Sequence, residues 1–280
     1  MGRVAIVTDS MAHIEGNRTG ITVLPFTIQI AEKRYRDGID LSREEFFRAL
    51  EHDYAQVSVI PPDVEQFQRV YAQLSARTDQ ILSIHGSGKL SRALANAQRA
   101  SRNVLGRAEI VVLDSLSSSL GLGILVSHAA RLAAQGARLE EIMRAMRKII
   151  SHLYMVFYTA DLESLQRNRY LTASQTLLGS LLGIKPILFL EDGRLTALEK
   201  VRTHEKAVEK LHEFVAEFSD VAQAAILQRH TTPSQEAKML LARLQTTFPS
   251  VAFPIIQYDP VLASHIGPAA LGVIVYEAEA

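Results

Sequence analysis

Ile81-Leu82-Ser83-Ile84-His85-Gly86-Ser87-Gly88-Lys89-Leu90-Ser91 is the stretch that decides the fold. Ile81 to Ile84 is a short apolar run and reads as a strand. Beyond the glycines, Leu90, Leu94, Ala97 and Val104 recur at three-to-four spacing, one face of a helix. Strand, Gly/Ser-rich turn and helix in that order make one unit of an open parallel sheet, and the turn lies at the edge where such sheets bind ligands. A helix start offers unpaired N–H groups and the positive end of the helix dipole, which suits an anion. Ser87 and Ser91 add hydroxyls, and Lys89 adds charge. Either serine can cap the helix or meet a ligand; the spacing makes Ser87 the cap.

The same arrangement recurs on both sides. Val4 to Val7 is a strand that ends in Thr8-Asp9-Ser10. Glu109 to Leu113 is another, ending in Asp114-Ser115-Leu116-Ser117-Ser118-Ser119. Gly121 and Gly123 lie early in the next helix, where glycine weakens it, so a close approach by backbone or ligand is expected there. One polar turn after a strand is ordinary, and Asp9 or Ser10 can simply form a turn or cap. Three such turns in one βαβ array point to a shared polar site at one sheet edge. Between the first two, Ile21 to Ile30 reads as strand broken at Pro25, and Arg34 to Asp40 as a polar turn around Gly38. Ser42-Arg43-Glu44-Glu45 is a capping box for a helix carrying Phe46, Phe47 and Leu50. Pro61-Pro62-Asp63 starts another helix.

A basic amphipathic helix from Arg138 to Ser151 closes this half, and the domain boundary is set beside it: residues 1–150 and 151–280. The second half is different. Strand-like Leu153 to Thr159 is followed by two short helices, then Ile184-Lys185-Pro186-Ile187-Leu188-Phe189-Leu190 and Arg194 to Lys200 joined by Asp192-Gly193, a hairpin turn. Pro186 suggests an irregular or edge position. Helices at 203–218 and 234–246 alternate with strands at 222–228 and 251–257. Ser264-His265-Ile266-Gly267-Pro268 reads as a loop before a last strand, Leu271 to Tyr276. The fold class is α/β in two domains: a parallel sheet first, then a mixed or antiparallel one.

The 280 residues are 48% apolar, enough for real cores, and carry 30 basic against 30 acidic side chains. Zero net charge gives no general pull toward nucleic acid or an acidic membrane. With no cysteine, disulfides, thiolate metal sites and cysteine nucleophiles are excluded. Met1-Gly2-Arg3 leads straight into a strand rather than a signal peptide, and no apolar run reaches the ~18 residues of a membrane span. A cytoplasmic protein is expected. There is no G-x-S-x-G elbow and no H-E-x-x-H pair for zinc. Gly86-Ser87-Gly88-Lys89 lacks the upstream glycine of a phosphate loop and has Leu90 where magnesium needs a hydroxyl. His265 is held between serine, glycine and proline; it either satisfies loop carbonyls or serves as donor or base at the polar edge. Lys200, Arg202 and Lys206 form a basic cluster that is either a solvated face or a contact surface.

Taken together these motifs resemble the DegV family of bacterial fatty-acid-binding proteins. The resemblance is carried by Thr8-Asp9-Ser10, Ser87 to Ser91, Asp114-Ser115 with Ser119 to Gly123, Ile184 to Leu188 with Asp192-Gly193, Lys200-Val201-Arg202-Thr203 and His265-Ile266-Gly267-Pro268, in the family's order along nearly the whole chain. It implies a long-chain fatty acid held between two domains, with Ser91 and His265 on the carboxyl group. It also implies delivery of that carboxylate to a separate fatty acid kinase subunit, which makes acyl phosphate for phospholipid synthesis, with Arg202 at a position implicated in the handover. No cofactor and no bond-breaking by the chain itself are implied.

Four places depart from the family's pattern. Arg92 and Ala93 follow Ser91 where glycine and threonine are usual, and Val59 and Ile60 stand at hydroxyl positions, leaving Ser58 as a substitute. Asn168-Arg169-Tyr170-Leu171 replaces Gly-Gly-Arg-Ile, and Ala269 replaces a glycine. The residues alone leave two other readings open. One is an enzyme using His265 or His85 at the Asp9/Ser10/Ser91 edge. The other is a sensor of a small acid with the basic cluster as its protein contact.

Overall fold

The computed structural model describes residues 4–16, 19–52, 56–103 and 108–278. Met1 to Arg3 and Val104 lie outside the described residues. The chain divides into two compact units, one of Met1–Ser42 with Asp53–Ser151, the other of Arg43–His52 with His152–Ala280.

In chain order the first unit runs β1 (Ala5–Asp9), β2 (Ile21–Leu24), β3 (Thr27–Ile30) and β4 (Lys33–Arg36); α1 (Arg43–His52) groups with the second unit. The first unit continues through β5 (Val57–Ile60), α2 (Val64–Ser75), β6 (Gln80–His85), α3 (Ala93–Arg102), β7 (Glu109–Asp114), α4 (Ser119–Ala134) and α5 (Leu139–Ile150). The main sheet has the order β2-β1-β6-β7, parallel throughout. Parallel strands are covered on both faces and therefore carry continuous apolar runs. Val7, Ile81 and Leu82 are fully buried in it. In α3 the buried stripe is Ala93, Leu94, Ala97 and Ala100.

A second, three-stranded antiparallel sheet of order β4-β3-β5 was not legible in the sequence. Three residues of its outer strand, Lys33–Arg36, fall in the stretch Arg34 to Asp40 that the sequence presents as a polar turn. All four residues are polar or aromatic and three are exposed, so the apolar alternation that marks a half-buried strand is missing.

The second unit holds α1, then β8 (Leu153–Thr159), α6 (Leu162–Arg167), α7 (Ala173–Leu181), β9 (Lys185–Glu191), β10 (Arg194–Val201), α8 (His204–Ala216), β11 (Val221–Gln228), α9 (Gln235–Thr247), β12 (Ile255–Gln257), α10 (Pro260–Ile266) and β13 (Ala270–Glu277). The sheet order is β10-β9-β8-β13-β11-β12, antiparallel except for the parallel pair β11 and β12. The fold is thus α/β, with a parallel sheet in one unit and a mixed sheet in the other. The Asp-Gly hairpin forms as expected: Asp192 and Gly193 have φ 47° and 76°, the left-handed pair that a tight hairpin turn demands. Pro186 sits one residue past the last β8 partner of β9, so its missing N–H breaks no ladder on that side. Val208, Leu211, Leu240 and Leu244 from α8 and α9 pack with Val156, Ile226 and Val273 of the sheet. Helix α1 joins this unit through Phe46, Phe47 and Leu50, all buried, with the Phe47 ring 5.1 Å edge-on from Tyr258.

Candidate functional site

In the first unit the polar turns at the ends of β1, β6 and β7 are tied to one another. The Ser115 N–H donates to the His85 carbonyl at 3.0 Å, and the Ser87 N–H to the Ser117 carbonyl at 2.9 Å. The Gly88 N–H reaches Asp114 Oδ2 at 3.3 Å, and the His13 N–H reaches the Ser119 carbonyl at 2.9 Å. Burial is the main cause that pushes the Asp114 carboxyl above its ordinary range; the N–H groups of Leu116 and Gly88 pull it back. Gly123 is required here, since a Cβ on it would run into the His13 carbonyl oxygen. The close approach expected at that glycine is therefore one of backbone.

Beneath the turns runs a fully buried relay. Tyr71 Oη donates to Ser83 Oγ at 2.8 Å, Ser83 Oγ lies 2.7 Å from His85 Nε2, and His85 Nδ1 lies 2.8 Å from Asp9 Oδ2. A carboxylate only accepts, so the network places the ring proton on Nδ1, and Nε2 accepts from Ser83. Asp9 Oδ1 takes the Met11 N–H at 3.0 Å. Asp9, Ser83 and His85 have no exposed surface. Asp9 thus lies behind the edge, and His85, with both ring nitrogens engaged, has no open path along which to act as base or phosphoryl acceptor in this arrangement.

The serines divide by role. Ser87 is buried, and its Oγ accepts the Lys89 N–H at 3.1 Å, shaping the turn. It does not cap α3. The bond at that helix start is made by Ser91, whose Oγ accepts the Ala93 N–H at 3.1 Å. The Ser91 O–H has no acceptor among the described residues and its side chain is half-buried. Ser10 Oγ accepts the Phe26 N–H at 3.0 Å and pins the β2–β3 joint. Ser119 has φ 48° and a buried Oγ without a hydrogen-bond partner among the described residues. Ser58 is exposed on β5, opposite Gln29, in the three-stranded sheet rather than the sheet that carries the tied turns.

In the second unit His265 occupies the last turn of α10, not a loop. Asp259 caps that helix, its carboxylate accepting the Leu262 N–H, and Pro260 fills the first position. The carbonyls around His265 are each held. Asn168 Nδ2 donates to the Ser264 carbonyl at 2.7 Å, Thr159 Oγ1 to that of Ile266 at 2.8 Å, and Tyr258 Oη to that of Gly267 at 2.8 Å. Gly267 has φ 80°, and a Cβ there would strike the Asp161 carboxylate. The His265 ring is met by Tyr170, whose Oη lies 3.0 Å from Nδ1. Tyr170, Asn168 and Tyr258 were not singled out as site residues. The signal for the first two was the very departure from Gly-Gly-Arg-Ile noted above.

Arg202 is exposed just before the cap of α8. Among the described residues neither its guanidinium nor the Lys200 ammonium has an acidic partner, whereas Lys206 pairs with Glu209 at 2.7 Å. An apolar cavity of about 270 Å³ opens between α6, α7 and the β9–β10 hairpin, lined by Leu162, Leu171, Leu178, Leu182 and Ile184, with Lys200 at its wall. Among the described residues no cluster of acidic and histidine side chains is placed to hold a metal ion, and no helix is long and apolar enough to cross a membrane.

A model of the DegV family ("Uncharacterised protein, DegV family") matches residues 3–278. The chain belongs to the DegV family. A DegV domain-containing protein of Caldanaerobacter subterraneus is 32% identical over 281 residues, covering 99% of this chain and 100% of that protein. Among solved structures, a DegV family protein from Thermus thermophilus described for its fatty acid binding is 30% identical, with a TM-score of 0.81 over 99% of this chain and 100% of that one. The Streptococcus pneumoniae fatty acid kinase (Fak) B3 protein, loaded with linoleic acid, shares the fold at 22% identity and a TM-score of 0.81, covering 98% and 99% of the two chains.

Proposed function

We propose that this DegV chain binds a long-chain fatty acid and presents its carboxylate to a separate fatty acid kinase subunit, in the cytoplasm, for acyl phosphate formation that feeds phospholipid synthesis. In this reading the ligand lies between the domains set at residues 1–150 and 151–280. Ser91 and His265 hold the carboxyl group, with Ser58, Ser87, Asp9, Ser10 and Ser119 shaping or lining that polar end. Ser91 contributes an O–H donor beside a helix start, and His265 a ring N–H; both suit an anion. Apolar surface supplies the affinity, at about 0.8 kcal/mol for each buried methylene, and the polar end supplies orientation.

The observation that carries the reading is the family match along the whole chain. The Ser91 hydroxyl without an acceptor and the braced His265 ring support the assignment of the carboxyl contacts. The unpaired Arg202 supports the handover to a partner. The chain itself breaks no bond in this scheme, and it takes no cofactor or metal. Native mass spectrometry of protein purified from its host should show a long-chain fatty acid bound. A chain that arrives empty and also refuses added fatty acid would overturn the reading.

A further inference from the structure

His265 is held through both its backbone and its ring, and both supports come from the segment that follows α6. Helix α6 ends in a left-handed turn. Asn168 follows the helix, Arg169 has φ 62°, the Arg169 N–H bonds the Gln166 carbonyl at 2.9 Å, and the Tyr170 N–H bonds the Leu165 carbonyl at 2.8 Å. That pair of bonds is a Schellman motif with a non-glycine residue in the left-handed position. It delivers Tyr170 to His265, hydroxyl to Nδ1 at 3.0 Å and ring to ring at 5.9 Å. Asn168, two residues earlier, bonds both the Ser164 carbonyl at 2.9 Å and the Ser264 carbonyl at 2.7 Å. Backbone and ring are thus held from the same short segment.

The direction of the Tyr170–His265 bond follows from donor and acceptor counting. A phenol carries one O–H that needs an acceptor, and His265 Nδ1 is the acceptor that Tyr170 has among the described residues. Were Nδ1 protonated, the half-buried O–H would be left without one. Burial also pushes the Tyr170 phenol above its ordinary range, against a smaller downward pull from Arg194, so the hydroxyl keeps its proton. We propose that Tyr170 is a positioning residue: its hydroxyl donates to His265 Nδ1, keeps the imidazole proton on Nε2, and so presets the ring as an N–H donor for an anionic head group. The proposal rests on the fatty-acid reading only for the identity of that head group, a carboxylate.

The isosteric Tyr170→Phe variant removes the hydroxyl and keeps the ring against His265. The full-length chain, labelled with ¹⁵N-histidine, is compared with this variant by long-range ¹H–¹⁵N spectra at a pH where the ring is neutral, with His265→Gln locating the signal. The wild type should hold its proton on Nε2, and Tyr170→Phe should gain Nδ1–H population. In titrations with oleate and with oleyl alcohol, the variant should lose about fivefold in affinity for oleate, one neutral hydrogen bond's worth, and little for the alcohol. A wild-type ring protonated on Nδ1, or a variant with an unchanged tautomer, overturns the proposal. So does an equal loss for both ligands, which marks a merely structural side chain. The tautomer needs no ligand to be read. A wild type that takes up no oleate but shows the expected tautomers therefore refutes the fatty-acid reading and leaves the Tyr170 assignment standing.

Discussion

The first unit holds its polar edge from below, by burial, whereas the second holds its histidine from the side, by bracing a helix end. In the first, the Tyr71–Ser83–His85–Asp9 relay is sealed from solvent and every member has a partner. In the second, His265 stays half-exposed, and the groups that fix it, Asn168, Tyr170, Thr159 and Tyr258, come from three separate stretches of chain. Low dielectric strengthens a buried network and makes any unpaired member costly. A half-exposed brace can lose one member to water at little cost. The two regions should therefore fail differently.

The strongest test of that difference is Asp9→Ala. It leaves two buried donors, the Met11 N–H and the His85 Nδ1–H, without their acceptor, and each donor left unsatisfied costs about 1–3 kcal/mol. Urea unfolding of the full chain, followed by a probe placed in the first unit, should show a loss of that size. A loss below about 1 kcal/mol, the range of exposed pairs, would mean that the relay adds nothing beyond what a surface contact gives.

This relay also marks where the sequence was and was not informative. The parallel sheet was visible because buried parallel strands carry continuous apolar runs, as at Val4 to Val7. The three tied turns were visible because their serines, aspartates and glycines each follow such a strand. That Asp9 faces inward to His85 was not visible. The two are 76 positions apart, and a polar residue at a strand end looks the same whether it faces solvent or a buried partner. His265 was read as loop because its helix has only seven residues, although Asp259-Pro260 is a proper start signal. Ser91, not Ser87, meets the first N–H of α3 for a similar reason: the helix begins only at Ala93, six residues beyond Ser87, and helix boundaries are poorly legible in a sequence.

Next in size come the two proposed carboxyl contacts. Ser91→Ala and His265→Ala should each weaken fatty-acid binding by about 1–3 kcal/mol, the cost of a lost buried partner. The comparison above adds a distinction. Neither substitution touches the relay, so stability should fall less than in Asp9→Ala, by about 0.5–2 kcal/mol where Ser91→Ala gives up the acceptor of the Ala93 N–H, while affinity falls. Isothermal titration beside urea unfolding separates the two. Unchanged affinity in both variants would remove these residues from the site.

The smallest effect is expected at Arg169, and it has the opposite sign. A side chain in the left-handed region costs roughly 1–2 kcal/mol that glycine avoids, while glycine gives back about 0.5–1 kcal/mol in unfolded-chain entropy. Arg169→Gly should therefore stabilise the chain by roughly 0.5–1 kcal/mol. Arg169 is exposed, and its side chain has no partner among the described residues, so little is lost with it. Glycine adopts the same φ, the Schellman bonds survive, and Tyr170 still reaches His265. If the variant is instead less stable, the arginine side chain is contributing a contact of its own and the strain account is wrong. If it is more stable but loses the Nε2 tautomer of His265, the stiffness of a non-glycine residue at this position is what aims Tyr170, and the brace depends on strain that glycine would release.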